Sequence, residues 1–301
     1  MKVFGKFILI GLWLLGLAAC SEPPSSPYAP EFSSIAPAHA TEYIFGVHPL
    51  HNPQKLFEIF DPMMQYLSQH IEGATFRLEA SRHYAAYDKK LYAKKFHFSL
   101  PNPFQTINAI DIGYQVFGKM GDDDNFRGII LVRKDSGIRQ VTDLKGKAVS
   151  YPAPTALAAT MMPQYYLQTH GVDVLTELDN RYVGSQESAV MNVFLKQTAA
   201  GSTWPPPWQS LRTERPELAE QLTVMWETEP LLNNSLVVLP SVPSDITQQV
   251  MTQLTQLHEH AEGRAILARM ALSKYEQANN DTYLPIRAFI RDFARDVRPL
   301  K

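Results

Sequence analysis

The chain has 301 residues, of which 19% are charged, and its formal net charge is −2. A charge so close to neutral supplies no basic field for nucleic acid, so we expect no nucleic-acid partner. The part of the chain after residue 40 is long enough to bury a sizeable core, as one large domain or as two lobes.

We expect residues 1–19 to be an export signal and not part of the folded domain. The apolar run Phe7–Leu17 is too short for a confident membrane span. It ends in Leu17-Ala18-Ala19-Cys20, which resembles a bacterial lipobox, and Cys20 is the only cysteine. The resemblance implies cleavage before Cys20 and lipid attachment to its thiol. The alternative is a plain export signal followed by an incidental cysteine.

Residues 20–40 are rich in proline and serine and too poor in apolar residues to fold, so they predict an extended tether. Together with the lipid on Cys20, this tether would hold a periplasmic body at the cell envelope. Ser21, next to the cysteine, points to the outer membrane.

From Thr41 onward, predicted strands and helices alternate at short spacing. Strands are predicted at residues 42–47, 75–80, 96–100, 114–119, 127–133, 148–151, 181–184, 201–203, 222–227 and 235–239. Helices are predicted at residues 54–70, 84–93, 104–110, 186–197, 243–258, 262–270 and 286–297, and from Thr155, whose hydroxyl is the expected N-cap. This alternation predicts an α/β fold with helices on both faces of the sheets.

The βα units form two blocks, which predicts two lobes. We expect residues 41–133 and 235–301 in lobe one and residues 134–234 in lobe two. Ligands in such sheets bind beyond the carboxyl ends of the strands, and clefts between domains are preferred pockets. The loops at these ends are His48–Pro53, Ala80–Tyr84, Pro101–Gln105, Tyr151–Thr155, Gly184–Glu187 and Thr203–Trp208.

The segment Trp204–Trp208 contains three consecutive prolines between two tryptophans. A proline run predicts a stiff extended segment that presents both indoles as an aromatic wall of the cleft. The alternative is surface packing or docking of a partner.

Catalytic and metal sites are not expected. His48 and His51 lie three residues apart, but zinc needs a third or fourth ligand that the spacing does not supply. The sequence contains no nucleophile elbow, phosphate-cradling glycine loop or metalloprotease helix. We therefore predict a protein that is not an enzyme and has no cofactor, no metal and no catalytic residues.

The loops, in this order, resemble those of the phosphate/phosphite/phosphonate-binding (PhnD-like) receptors of ABC importers. The matching pieces are Gly46-Val47-His48-Pro49, Tyr84, Asn102-Pro103-Phe104-Gln105, Val141-Thr142-Asp143-Leu144-Lys145-Gly146-Lys147 and Gly184-Ser185-Gln186-Glu187. The resemblance implies a two-lobed periplasmic-binding-protein fold, type II-like, in which each lobe is a mixed sheet flanked by helices. It also implies hinge closure over a small oxyanion and delivery to an ABC permease. We expect a monomer.

The chain departs from this family at the expected anion cradle. The family usually holds the phosphonyl group on a helix start built as Ser-Thr-Ser-Gly, and the aligned residues here are Pro154-Thr155-Ala156-Leu157. It commonly carries His where this chain has Gln186, and an Asp near residues 201–203, where this chain has none. Glu187 is the alternative carboxylate for a cationic amine on the ligand.

Loop positions and resemblance together predict nine ligand-binding residues. They are His48, Tyr84, Asn102, Gln105, Thr155, Gln186, Glu187, Trp204 and Trp208. Two other functions stay open. One is a ligand-sensing lipoprotein of the same fold that signals to a membrane kinase or envelope partner, and the other is a receptor for a heteroaromatic solute.

Overall fold

A computed structural model describes residues 40–300. The predicted export signal, the predicted lipid-attachment residue Cys20 and all but the last residue of the predicted tether lie outside these residues. In the described part, no helix is both long and apolar enough to cross a membrane.

Eleven strands are present in residues 40–300. In chain order they are β1 (Thr41–Val47), β2 (Ala74–Glu79), β3 (Phe98–Leu100), β4 (Gln115–Met120), β5 (Ile129–Arg133), β6 (Lys147–Tyr151), β7 (Leu178–Tyr182), β8 (Ala200–Thr203), β9 (Leu222–Glu227), β10 (Ser235–Val238) and β11 (Tyr275–Glu276).

Ten α-helices flank these strands in the same part of the chain. They are α1 (Pro53–His70), α2 (Tyr84–Tyr92), α3 (Pro103–Asp111), α4 (Met162–Thr169), α5 (Gln186–Phe194), α6 (Pro205–Glu214), α7 (Pro216–Gln221), α8 (Ser244–Gln256), α9 (Ala261–Arg269) and α10 (Leu284–Asp296). A π-helical stretch, Leu157–Met161, runs directly into α4.

The strands form two mixed sheets. The first sheet has the order β11-β4-β10-β3-β1-β2, and β1 runs parallel to β2 and β3. The second sheet has the order β7-β6-β8-β5-β9, and β6 runs parallel to β7 and β8. The α/β architecture with two sheets flanked by helices, predicted from the alternation of elements, is confirmed.

The chain passes between the sheets twice, at residues 121–128 and 228–234. These two crossings run side by side, since Leu231 N–H donates to the Phe126 carbonyl at 3.0 Å and Thr228 N–H donates to the Gly128 carbonyl at 2.9 Å. Strand β5 therefore follows the first crossing and pairs with β8 and β9. The sequence analysis placed this strand in lobe one, which was expected to extend to residue 133, whereas both strands that pair with it belong to the second sheet.

Helix α1 illustrates how side-chain hydrogen bonds determine where a helix begins and how it tolerates an internal proline. The Asn52 side chain accepts a hydrogen bond from Lys55 N–H at 3.0 Å, so it caps the helix start. Pro62 lies inside α1 and has no N–H for the Glu58 carbonyl four residues earlier. Arg269 Nη1 donates to that carbonyl instead, at 3.4 Å. A contact from α9 therefore compensates the proline in α1.

Two stretches of local structure differ from the prediction. Strand β11 was not predicted, because two residues carry no periodic pattern. The segment after Trp204, predicted to be extended, forms the first turn of α6. Prolines in the first turn of a helix lose no hydrogen bond, since the N–H groups there have no partner in the helix.

Candidate functional site

The loops after the parallel strands of both sheets converge on one small enclosed pocket. His48 follows β1, Asn102 follows β3 and Trp204 follows β8, while Tyr84 and Gln186 begin α2 and α5. The residues that line the pocket are His48, Tyr84, Asn102, Phe126, Ala156, Leu157, Ala158, Ala159, Gln186 and Trp204. Five of the nine predicted ligand-binding residues therefore lie together.

The polar side chains of the pocket bond to one another across the two sheets. Gln186 Nε2 donates to the Tyr84 hydroxyl at 3.3 Å, and Gln186 Oε1 accepts from Thr203 Oγ1 at 2.8 Å. Since the Tyr84 oxygen accepts, its own proton stays available to a ligand. Asn102 Nδ2 donates to the Thr155 carbonyl at 2.9 Å and has a second hydrogen to offer. The pocket thus presents neutral donors from both sheets.

A helix start supplies further donors. The first amides to donate within the π-helical stretch are those of Thr160 and Met161, which reach the Ala156 carbonyl at 2.8 and 3.1 Å. Leu157–Ala159 precede them and line the pocket, and their N–H groups have no backbone acceptor among the described residues. Such amides, with the partial positive charge of a helix N-terminus, favour anions.

Thr155 is not the N-cap of this helix, so that prediction was wrong. Ala156 occupies the cap position and offers no side-chain hydrogen bond. The Thr155 carbonyl accepts a hydrogen bond from Asn102 Nδ2, and the Thr155 side chain contributes to lowering the pKa of Asp88. The sequence placed the helix start two residues early because a threonine after two prolines has the expected capping pattern.

Gln105 supports the pocket from behind. It is fully buried, its side-chain oxygen accepts from Asn102 N–H at 3.0 Å, and Asn102 Oδ1 accepts from Gln105 N–H at the same distance. This reciprocal capping box holds the Asn102 side chain at the start of α3. Gln105 Nε2 also donates to Asp88 Oδ1 at 2.6 Å.

Two predicted residues lie away from this pocket. Glu187 lines a separate pocket of about 40 Å³ with His51, Lys55 and Glu214. Trp208 packs among the apolar residues between α5, α6 and β5, and it lines a different cavity of about 360 Å³ together with Ile129 and Val224. Since α6 is helical, the two indoles are separated by a helical turn and only Trp204 reaches the enclosed pocket.

Phe126 is a pocket residue that sequence reasoning missed. It lies in the first crossing between the sheets, and its ring meets the Trp204 indole edge-on at 5.5 Å between centroids. A single aromatic residue after an acidic turn carries no local signal of this role. Only the pairing of the two crossings brings it to the pocket.

The enclosed pocket is small in this conformation. Its volume is about 10 Å³, which admits about one water-sized group. Among the described residues that line it, none is Lys, Arg, Asp or Glu. A larger groove of about 680 Å³ lies along β4, β10 and α8, but no donors from the second sheet converge there. In residues 40–300, no group of three His, Cys, Asp or Glu side chains is placed to hold a metal ion.

Comparison with known proteins identifies the family. A family model described as "ABC transporter, phosphonate, periplasmic substrate-binding protein" matches residues 45–283. The chain belongs to this family. It is therefore a periplasmic substrate-binding component of an ABC transporter, as its loops predicted, and not an enzyme. No curated protein sequence matches the chain.

Several solved structures share this fold. A binding protein component of an ABC phosphonate transporter from Pseudomonas aeruginosa superposes with a TM-score of 0.78 at 20% identity, over 85% of this chain and 87% of that chain. PhnD1 from Prochlorococcus marinus, in complex with methylphosphonate, has a TM-score of 0.78 at 16% identity, over 84% of this chain and 98% of that chain. A Xanthomonas citri protein bound to chloride ion has a TM-score of 0.69 at 14% identity, over 85% of this chain and 99% of that chain. At these identities the likeness shows the two-lobed fold.

Proposed function

We propose that the enclosed pocket binds the phosphonyl group of a small phosphonate-type oxyanion, which the protein delivers to the permease of an ABC importer. The observation that carries the proposal is the convergence of neutral donors from both sheets on one helix start. The methylphosphonate of the Prochlorococcus marinus structure is an example of such a ligand.

In this proposal the anion is held without a cationic side chain. The N–H groups of Leu157–Ala159, the Tyr84 hydroxyl and the free amide hydrogens of Asn102 and Gln186 are the donors. In a site shielded from water, hydrogen bonds from fixed dipoles to an anion are stronger than in solvent. Gln105 and Thr155 position Asn102, so their role is support rather than contact.

Ligand entry requires the two sheets to separate. A tetrahedral oxyanion has several heavy atoms and exceeds a space of about 10 Å³. The paired crossings at residues 121–128 and 228–234 are the proposed hinge, since hinges concentrate in a few connecting residues. Lobe one then comprises the first sheet with its helices, and lobe two comprises residues 129–227.

Titration calorimetry with phosphate, phosphite, methylphosphonate and 2-aminoethylphosphonate tests the proposal. We expect at least one of them to bind and, at a hundredfold excess over Kd, to stabilise the protein by about 2.7 kcal/mol. Tyr84→Phe removes one donor to a charged ligand, which costs about 1.5–3 kcal/mol and hence about 10- to 150-fold in affinity.

Tyr92→Phe is the matched control. Tyr92 ends the same helix α2 and is 40% exposed, and its hydroxyl contacts Asn108 rather than the pocket. Unchanged affinity in Tyr92→Phe with a loss in Tyr84→Phe supports the assignment. If none of the four oxyanions binds, while a solute of another class does, the proposed ligand class is rejected.

Lipid anchoring through Cys20 is the second part of the proposal. It is supported by the lipobox-like sequence and by the single cysteine. Cys20→Ser should release the protein from the membrane fraction into the soluble periplasmic fraction and abolish palmitate labelling. Ser21→Asp tests the proposed outer-membrane address, since we expect it to move the protein to the inner-membrane fraction. Retained labelling of Cys20→Ser contradicts the anchor.

Two sequence-based alternatives receive no support from the pocket. The heteroaromatic receptor depended on two stacked indoles, and Trp208 lies outside the enclosed pocket. No contact among the described residues favours the sensing lipoprotein over a transport receptor. The monomeric state stays a prediction, which sedimentation of the soluble body tests directly.

A further inference from the structure

His48 is held in one tautomer by the backbone. Its Nδ1 lies 2.8 Å from the Leu100 carbonyl oxygen, which can only accept a hydrogen bond. Nδ1 must therefore carry the proton. Within the described residues, Nε2 has no hydrogen-bonding partner, and the ring, which is 3% exposed, lines the pocket. In a neutral imidazole Nε2 is then a lone-pair acceptor.

The surroundings of His48 keep the ring neutral. Burial lowers the pKa of His48 to about 4, and the hydrogen bond to Leu100 offsets only part of this. The rings of Tyr84 and Tyr87 from α2 lie edge-on to it at 6.1 and 6.3 Å, and burial raises the pKa of both phenols. Other titratable groups nearby are His51, whose pKa burial also lowers to about 4, with Lys55 and Glu214 beyond it and Asp88 behind the tyrosines.

The hydrogen-bond acceptor His48 Nε2 requires that the ligand carry a proton on the oxygen that faces it. The helix-start amides, Tyr84, Asn102 and Gln186 present hydrogens, whereas His48 Nε2 presents a lone pair. A fully deprotonated oxygen facing Nε2 would be repelled by it, but an oxygen that carries a proton would donate to it. A pocket without a cation also disfavours a dianion more than a monoanion, because the cost of burying charge rises steeply with charge.

We propose that this protein selects the monoprotonated form of its oxyanion. In this form the ligand P–OH group donates a hydrogen bond to His48 Nε2, and this bond discriminates phosphonates from sulfonates. The inference rests on the proposed function and deepens it. A phosphonate monoanion has one P–OH group and two acceptor oxygens. A sulfonate of the same shape and charge has three acceptor oxygens and no proton to donate.

Calorimetry with methylphosphonate and methanesulfonate on the wild-type protein provides the first test. Sites built to bond a ligand hydroxyl reject analogues without it by as much as about 10⁴-fold. We expect methylphosphonate to bind at least about 100-fold more tightly than methanesulfonate. Its affinity should fall by roughly tenfold per pH unit above the second ionisation of the ligand, because the binding form becomes scarce.

His48→Phe tests the assignment to this residue, since phenylalanine keeps a ring but has no acceptor. We expect the preference for methylphosphonate over methanesulfonate to collapse to within about threefold, mostly through weaker methylphosphonate binding. The matched control is His258→Phe on the exposed segment after α8, which should keep the wild-type preference. Nitrogen-15 NMR of labelled wild-type protein gives a readout without substitution, because the liganded His48 ring should remain neutral with its proton on Nδ1.

The outcomes separate the inference from the proposed function. Equal binding of both ligands, methylphosphonate affinity that rises with pH, or a preference that survives in folded His48→Phe overturns the inference and leaves phosphonate binding intact. If neither ligand nor any of the other oxyanions binds, the proposed function and the inference fall together.

Discussion

At the scale of single residues, Asp88 is an acidic group behind the pocket that no sequence pattern marked. Burial raises the pKa of Asp88 to about 6, and hydrogen bonds from Gln105 and Thr155 offset part of this increase. Because Gln105 also holds Asn102, the protonation of Asp88 is connected to the position of a pocket side chain. The residue thus links folding stability to the geometry of the site.

Asp88→Asn should reduce the dependence of stability on pH. The folded-state pKa lies above the unfolded value of 3.8, so the stability that Asp88 contributes is fully present below about pH 4 and is lost as the pH rises through about 6. The neutral amide keeps an acceptor for Gln105. We expect Asp88→Asn to exceed the wild type at about pH 8 by at most about 3 kcal/mol, and less to the extent that water screens the group.

Denaturant unfolding at about pH 4 and about pH 8 measures this effect. The control is Asp124→Asn in an exposed turn, which should leave the pH dependence of unfolding as it is in the wild type. If the free energy of unfolding of Asp88→Asn changes with pH as much as that of the wild type, the pKa of Asp88 is not raised in the folded protein.

At the scale of elements, α1 and α6 meet across the two sheets through an ion pair. Lys55 Nζ lies 2.6 Å from Glu214 Oε1, and Ser210 Oγ donates to the same oxygen at 3.0 Å. Hydrogen bonding to Lys55 lowers the pKa of Glu214 and, reciprocally, raises that of Lys55. The contact joins the rim of the cleft, so it favours the conformation in which the sheets are close.

Breaking this pair should shift the protein toward separated sheets. The side chains of Lys55 and Glu214 are 29% and 49% exposed, so the pair contributes less than about 1 kcal/mol. Glu214→Gln should therefore weaken ligand binding by no more than about fivefold at low salt and increase the radius of gyration measured by X-ray scattering. High salt should reduce the difference from the wild type.

The reversed pair, Lys55→Glu with Glu214→Lys, is the matched control because it restores opposite charges. It should bind ligand more tightly than either single reversal. If the double reversal is no better than the singles, the ion pair does not act in closure.

At the scale of the whole molecule, one apolar core runs through both sheets. Residues of the first sheet such as Phe45 and Phe98 belong to the same buried cluster as Val149 and Tyr151 of the second, joined through Phe126 and Trp204. A smaller cluster packs between β5, β9 and helices α5 to α7. The shared core predicts that the two sheets unfold together when the centre of the core is damaged.

Phe98→Ala should be strongly destabilising. Phe98 is fully buried and its ring lies within 6.2 Å, between centroids, of four other aromatic rings. Removing a buried phenylalanine costs about 3–5 kcal/mol. We expect a single unfolding transition at lower denaturant concentration, followed by both circular dichroism and tryptophan fluorescence.

Phe57→Ala is the matched control, since Phe57 is 45% exposed on α1. Its free energy of unfolding should lie within about 0.5 kcal/mol of the wild type. Equal losses in the two variants would contradict the burial pattern, and separate transitions for the two probes in Phe98→Ala would contradict a shared core.

Much of the architecture was predictable because it depends on local chemistry. Strand β9 was predicted at its observed bounds and α1 to within one residue, since long periodic runs identify buried faces. The order of the loops led to the family, and five pocket residues followed from the rule that strand ends meet at one edge of a sheet. These features rest on interactions between residues close in sequence.

Which of the candidate residues come together depends on contacts between residues that are distant in the chain. The sequence does not distinguish Trp204 from Trp208 as pocket residues. In the structure a helical turn separates them, so the Trp204 indole lines the pocket and the Trp208 indole packs against α5 and β5. Phe126 and the tautomer of His48 depend on contacts with Trp204 and with the Leu100 carbonyl, which lie 78 and 52 positions away along the chain. The fold and the family were predictable from the sequence, because periodicity and turn chemistry are local. The pocket forms only where loops of the two sheets meet, so its lack of charged side chains among the described residues and the acceptor on His48 cannot be predicted from any local pattern.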